Sequence, residues 1–399
     1  MIKNLSHDLS VSPHRDERTR QEFVSTLRAH VNVYMAESLH KRYETVVKPR
    51  FEREHGHEPA DGEQVHDAML REPLFCFYSS IRYNAQQMVH QSVIPLVDRN
   101  MEELNSRASE LRNKSDVGGR LILDPSVEIP RSVSSIDVHL TPGSYHSEYA
   151  ETEDVSIGAI YDNSINVFSF NQMGRNTDDI GQTFANFIRI AHPEFQPETI
   201  LDVGCTIGHN TVPWAQTFPK AEVTGVDVAP ALLRYGSARA KSLGVAINFT
   251  QMNGTSLSHA DESVDVVFSS MFLHELPLKD IRAYIKEAHR VLKPGGLFLT
   301  MELPPNNKMK AYDSFYLDWD CFYNKEPYYK PFRDQDYTKL CSDAGFGDDT
   351  FFEVVLPRYT YTPEETFATK ATQAAVFNDR TGRMSEEINW YGFGAWKQS

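Results

Sequence analysis

The chain has 399 residues, enough for two domains that each bury a core, and a formal net charge of −15. That excess of carboxylates repels phosphate backbones and argues against nucleic acid as a substrate, and no apolar run is long enough to span a bilayer. The 4 cysteines (Cys76, Cys205, Cys321, Cys341) stand far apart without a Cys-x-x-Cys pair, and the opening Met-Ile-Lys-Asn-Leu-Ser-His-Asp lacks a hydrophobic signal core. A reduced cytoplasmic protein with no disulfide framework, zinc knuckle or membrane partner is expected.

Residues 1 to about 15 read as disordered. From Asp16 to about Glu54, apolar residues recur at helical spacing (Phe23, Leu27, Val31, Tyr34, Met35, Leu39, Tyr43). His55 to Gly62 breaks this pattern, and a second helical zone runs from Glu63 to about Lys114, with Pro73 and Pro95 placed to divide or kink it. Val117 to about Ala150 is a connector with short β-like runs. It holds His139 and His146, which read as ordinary surface or satisfied histidines. Residues 1–150 are therefore expected to form a helical N-terminal cap with a short connector. The cap is either a lid over a crevice or a surface for packing and homodimer formation.

Residues 151–399 form the second expected domain, entered through helical sequence over Val155 to His192. Thr199 to Val203 is an apolar run of strand length that ends in a glycine-bearing turn, followed by helical sequence from His209 to Phe218. A strand feeding a helix through such a turn is half of a βαβ unit, whose crevice lies at the strand's carboxyl end. Gly204 and Gly208 let the backbone approach a ligand, and Asp202 can accept a hydrogen bond from a ligand amine or ribose. Ala221 to Val228 is a second strand with Asp227 at its end, placed to accept both hydroxyls of an adenosine ribose. The glycine spacing is not Gly-x-Gly-x-x-Gly, so no pyrophosphate-binding turn is spelled out. Further strands are expected over 246–253, 263–269 and 297–303. Phe351 to Tyr361 and Asn389 to Lys397 are aromatic-rich alternating runs of strand character. An insertion at about 304–332 is dense in aromatics and is placed to wall a substrate pocket.

The run Asp202-Val-Gly-Cys-Thr-Ile-Gly208, Asp227 and Val-Leu-Lys-Pro-Gly-Gly at 291–296 resemble the motifs of class I S-adenosylmethionine-dependent methyltransferases. Thr206 stands where the family's first motif usually has its middle glycine, and His209 lies just past the last one. The resemblance covers about Tyr161 to Lys397. It implies an α/β fold: a Rossmann-like, seven-stranded, mostly parallel sheet with an antiparallel last pair, beside the helical cap. It also implies cofactor contacts from Tyr161, Met173, Arg175, Asp202, Gly204, Cys205, Gly208, Asp227, Val228, Met252, Asn253 and Ser269. The Gly-Cys-Thr-x-Gly-His and Leu-His-Glu motifs also look like those of methyltransferase domains in polyketide synthase initiation modules, some of which hold a mononuclear metal.

Methyl transfer is an in-line displacement that needs an aligned and deprotonated or polarised nucleophile. His209 follows the first strand of the sheet, and His274 with Glu275 follows the fourth, so the three are expected to converge where the methyl points. Three readings compete: His274 as general base, His209 and His274 as ligands of iron, manganese or zinc with Glu275 as a third, or a purely pocket-shaping role. The expected function is methylation of a small molecule or a carrier-tethered acyl group. A non-catalytic S-adenosylmethionine-binding or assembly protein and an NAD-type oxidoreductase remain as alternatives.

Overall fold

The computed structural model describes residues 7–151, 153–384 and 387–398. The sheet has eight strands in the order β1-β4-β3-β2-β5-β6-β8-β7. They are β1 (Leu121–Ile122), β2 (Thr199–Val203), β3 (Glu222–Asp227), β4 (Asn248–Gln251), β5 (Val264–Ser270), β6 (Leu292–Glu302), β7 (Phe351–Pro357) and β8 (Asn389–Trp396). Seven strands were expected. The eighth is β1, two residues of the connector that pair in parallel with Phe249 and Thr250 at the edge of β4. The strands from β1 to β6 pair in parallel, and β8 runs antiparallel to both β6 and β7.

The central strands are apolar runs because helices cover both faces of the sheet. On one face the Leu278–Val291 helix buries Ile281, Tyr284 and Ile285 against Val203, Val267 and Phe298. On the other, the Asp179–Ala191 helix buries Phe184 and Ile188 against Ile200, Val266 and Leu299. The strand order reverses at β2, whose neighbours β3 and β5 lead away in opposite directions. That switch point opens a crevice beyond the carboxyl ends of β2, β3 and β5.

Residues 15–112 are mostly helical, from Arg15 through His55, then Gly62–Met69 and the 40-residue helix Pro73–Arg112. Pro73 takes a first-turn position, where its missing N–H costs nothing, and the helix continues through Pro95. The expected disorder at the start divides in two. Residues 1–6 lie outside the described residues, whereas His7, Leu9 and Val11 are buried. The reason is a packing site: Leu9 and Val11 join Val89, Val93 and Leu96 of the long helix in a core that also contains Ile157, Ile160, Leu232 and Tyr235. A second core joins Val31, Leu39, Tyr43, Phe75 and Tyr78 to Tyr312, Phe315 and Leu317 of the aromatic insertion. The insertion itself is the helix Ala311–Asn324 followed by Tyr329–Arg333. No described helix is long and apolar enough to cross a membrane.

Candidate active site

The turn after β2 is built from backbone positions that only some residues tolerate. Gly204 has φ +75°, and a Cβ there would stand 2.4 Å from the Phe272 ring. Gly208 has φ +69°, and its Cβ would meet the Phe249 ring at 2.6 Å. Gly204 and Cys205 donate their N–H groups to the Val226 carbonyl at 2.8 and 3.1 Å, which ties the turn to the end of β3. There Asp227 accepts from the Thr206 N–H and the Ala229 N–H, one per carboxylate oxygen, at 3.0 Å each. Each oxygen keeps a further acceptor position, and Asp227 lines the cavity above. Burial pushes its carboxyl up, against the backbone N–H groups that favour the charged form.

This cavity has a volume of about 300 Å³, within the range of small-molecule sites. It runs from Gly204, Thr206 and Asp227 to the loop after β5, and is roofed by Gln86 and His90 of the long helix. Of the residues expected to meet a cofactor, Tyr161, Met173, Gly204, Cys205, Asp227 and Val228 line it. The others stand elsewhere. Arg175 is exposed and off the wall. Asp202 is buried behind it: Oδ2 accepts from the Thr211 hydroxyl at 2.5 Å, Oδ1 has no partner, and burial pushes the carboxyl up to about 7. Gly208 supports the turn from below, and Ser269 is buried with its hydroxyl on Thr300 at 2.9 Å. Met252 packs in the core, and Asn253 spends Oδ1 on the Thr255 N–H and hydroxyl. Thr206, Ser270, Met271 and Phe272 line the cavity without having been read as contacts.

The side chains with acid–base chemistry gather on the loop after β5. The His274 Nδ1 lies 2.7 Å from Glu302 Oε2, and both groups are buried. Glu302 ends β6, and its other oxygen accepts the Phe272 and Leu273 N–H groups at 2.8 and 2.5 Å. The imidazole is thus held with Nε2 toward Glu275 (3.8 Å) and Glu326 (3.6 Å). His139 closes the group: its Nε2 lies 2.7 Å from Glu326 and 3.5 Å from Glu275, and its Nδ1 is 2.5 Å from the Tyr145 hydroxyl. Burial alone would discharge His274, but Glu302, then Glu275 and Glu326, outweigh it and push the imidazole up to about 10. In the same balance Glu326 outweighs burial and raises His139. Burial pushes Glu275 up to about 6 against the pull of His139. The carboxylates thus favour the charged form of both imidazoles, and that of His274 most strongly.

His209 does not join them. Its ring packs 5.6 Å from Tyr161, its nitrogens face Thr206 (3.4 Å) and Asn210 (3.3 Å), and burial pulls it down to about 3. It lines the same cavity, but the expected trio of His209, His274 and Glu275 is not the one that converges. Among the described residues the set whose ligand atoms all lie within 4.8 Å is His139, Glu275 and Glu326. β2 and β5 pair directly, so the strand ends that precede His209 and His274 are neighbours as expected. That pairing does not fix the direction of the His209 ring, which turns toward Tyr161.

His139 and Glu326 were missed because neither sits in a motif. His139 is 135 residues before His274 in an irregular connector, and Glu326 follows the helix Ala311–Asn324 in the insertion. One backbone feature marks His139: it and Leu140 are consecutive non-glycine residues at φ 56° and 58°. Such a pair costs on the order of 1–3 kcal/mol per residue and persists only where the surroundings hold it. Here the Gln86 amide donates to the His139 carbonyl at 3.1 Å.

A parallel sheet with a glycine turn after β2, an acid at the end of β3 and a cavity at the switch point defines a Rossmann-like fold built for an adenosine-bearing cofactor. Residues 200–296 match the family described as "Methyltransferase domain". Over this stretch the chain is similar to the S-adenosylmethionine-dependent methyltransferases, which favours S-adenosylmethionine over NAD as the cofactor. It is 32% identical over 132 residues to malonyl-[acyl-carrier protein] O-methyltransferase 1 of Coxiella burnetii, covering 33% of this chain and 40% of that one. It is 30% identical over 115 residues to the demethylmenaquinone methyltransferase of Thermus thermophilus, covering 29% and 51% respectively. The chain thus spans about half or less of these relatives' length. Among solved structures, phosphoethanolamine N-methyltransferase 2 of Haemonchus contortus superposes with a TM-score of 0.39 at 19% identity, covering 60% of this chain and 58% of that one.

Proposed function

We propose that the chain transfers the methyl group of S-adenosylmethionine to a small-molecule or carrier-tethered acyl acceptor held in the cavity beneath the helical cap. The observation that carries this reading is one cavity lined both by the β2 and β3 strand ends and by His139, His274, Glu275 and Glu326. The residues fit the cofactor. The Gly204 turn is a place where a Cβ would collide, and Asp227 on the cavity wall keeps two acceptor positions. Asp227 would take the ribose hydroxyls, with Tyr161, Cys205 and Val228 around the rest of the molecule. S-adenosylmethionine supplies the electrophilic methyl when bound.

The chain's own contribution is to orient the acceptor and manage its proton. Glu275, like Glu326, is a carboxylate on the cavity wall with two imidazoles beside it, for Glu275 at 3.5 and 3.8 Å, and burial pushes the Glu275 carboxyl up. It is placed to receive the acceptor's proton while His139 and His274 stabilise the charge left behind. Glu302 and Tyr145 hold those imidazoles in place.

A second reading is favoured by the convergence of His139, Glu275 and Glu326 within 4.8 Å. Two carboxylates with one or two imidazoles suit iron, manganese or zinc. These residues, with His274 Nε2 beside them, would hold such an ion, which would supply Lewis-acid polarisation of an acceptor oxygen. Acyl-carrier binding, acceptor identity and a homodimer through the N-terminal helices belong to the same proposal. The malonyl-carrier relatives support the first of them.

The test is transfer of label from S-adenosylmethionine to acyl-pantetheine and small aromatic acceptors by the purified chain, with elemental analysis of the same preparation. Turnover that Glu275→Gln abolishes supports the reading. Bound S-adenosylmethionine with no transfer to any acceptor class leaves a binding protein instead, and a metal-free, chelator-insensitive enzyme removes the metal version.

A further inference from the structure

The cavity has a second wall that the methyl-transfer chemistry does not use. Arg383 reaches it from the segment before β8, and Tyr316 and Asp320 reach it from the insertion helix. The Arg383 guanidinium lies over the Tyr316 ring at 4.1 Å, and Tyr316 is fixed by the Tyr78 hydroxyl at 3.2 Å. No carboxylate among the described residues lies within ion-pair distance of Arg383, although the field of Asp313 reaches it.

Two more guanidinium groups stand behind this wall. Arg82 is buried and pairs with Asp320 through one nitrogen, while Nε and Nη1 have no partner. Arg28 is buried with no carboxylate partner among the described residues. It donates to the Phe168 carbonyl at 3.0 Å and to Gln86 Oε1 at 2.5 Å, and lies over the Phe168 ring at 4.2 Å. Gln86 and Phe168 line the cavity in their turn. Of these three guanidinium groups only Arg82 has a carboxylate, Asp320, within ion-pair distance among the described residues, whereas the wall at Glu275 and Glu326 is rich in carboxylates.

Buried and half-buried cations are normally paired, and an arginine whose face is stacked keeps its N–H edge free for planar anions. We propose that the corner formed by Arg383 and Tyr316 is a subsite for an oxyanion on the acceptor, a carboxylate or a phosphate ester, with the acyl part of the acceptor along the apolar floor of the cavity. The proposal deepens the methyltransferase reading and rests on it, because it names the chemical class of the acceptor.

The experiment uses the full chain saturated with S-adenosylhomocysteine and two pairs of probes: octanoate against methyl octanoate, and octanoyl-phosphopantetheine against octanoyl-pantetheine. The charged member of at least one pair binds about tenfold or more tightly than its neutral partner. Contrast in the first pair identifies a carboxylate, contrast in the second a phosphate. Arg383→Gln removes that contrast and Arg383→Lys retains part of it, with melting temperature and S-adenosylhomocysteine affinity unchanged in both variants. Equal binding of charged and neutral probes in both pairs overturns the subsite, as does a contrast that survives in Arg383→Gln. Failure of the wild-type chain to bind S-adenosylhomocysteine is a separate result and counts against the methyltransferase reading itself.

Discussion

At the scale of single residues, Asp227 and His139 carry the clearest expectations. The Asp227 carboxylate is pinned by two backbone N–H groups and keeps one acceptor position on each oxygen. Two charge-assisted bonds to a ribose at about 1.5–3 kcal/mol each make Asp227→Ala lose about a hundredfold or more in S-adenosylhomocysteine affinity. Titration calorimetry on the folded variant checks this, and unchanged affinity removes the assignment. His139→Asn, by contrast, should lower turnover by about a hundredfold while leaving S-adenosylhomocysteine affinity within a few-fold, because it touches the acid–base group and not the strand end. Loss of both together would place His139 in cofactor binding instead. The two residues differ in how far the sequence reveals them. Asp227 ends a run that reads as a strand, so its place follows from the βαβ pattern alone. His139 becomes visible only when the connector folds back and Glu326 arrives from the insertion, and a single sequence carries no signal for a contact across 187 residues.

At the scale of elements, the start of the chain is anchored through a buried polar network on the helix Ser156–Phe168. Asp162 is buried there with His7 Nε2 at 2.8 Å, the Tyr235 hydroxyl at 2.9 Å and Arg239 at 3.5 Å. Burial pushes Asp162 up, but His7 and Arg239 outweigh it and bring the carboxyl down to about 2. A carboxylate whose pKa is depressed on folding stabilises the fold above its unfolded value near 3.9, and that stability is lost as pH falls toward the folded value. Asp162→Asn is therefore expected to cost about 2 kcal/mol at neutral pH, with the difference from wild type shrinking between about pH 4 and pH 2. Chemical denaturation at several pH values measures it, and a pH-independent difference would contradict the linkage. The sequence showed the helices on either side of this network but not the network itself. Residues 7–11, within the stretch that read as disordered, are held by Leu9 and Val11 in a groove made by distant helices.

At the scale of the whole molecule, the division at about residue 150 is a proposal about function and not a break in packing. Val89, Val93 and Leu96 share one core with Ile157, Ile160 and Tyr235, and the aromatic insertion shares another with Phe75 and Tyr78. Deleting residues 1–114 would expose both faces. The remainder is expected to aggregate, whereas an independent lid would leave it soluble; expression and light scattering of the truncated chain separate the two. The positions of the central strands and the helical character of the first half were legible because they rest on periodicity and glycine turns. The roof of the cavity was not, because Gln86, His90 and His139 reach it from the cap and its connector. Cofactor and acid–base group are proposed to share one cavity, and a crystal structure with bound S-adenosylhomocysteine is the decisive measurement. The ribose is expected on Asp227, with the sulfur facing the cavity toward Glu275 and His139. A ligand bound away from the β2 and β3 strand ends, or with its sulfur turned away from that group, would contradict it.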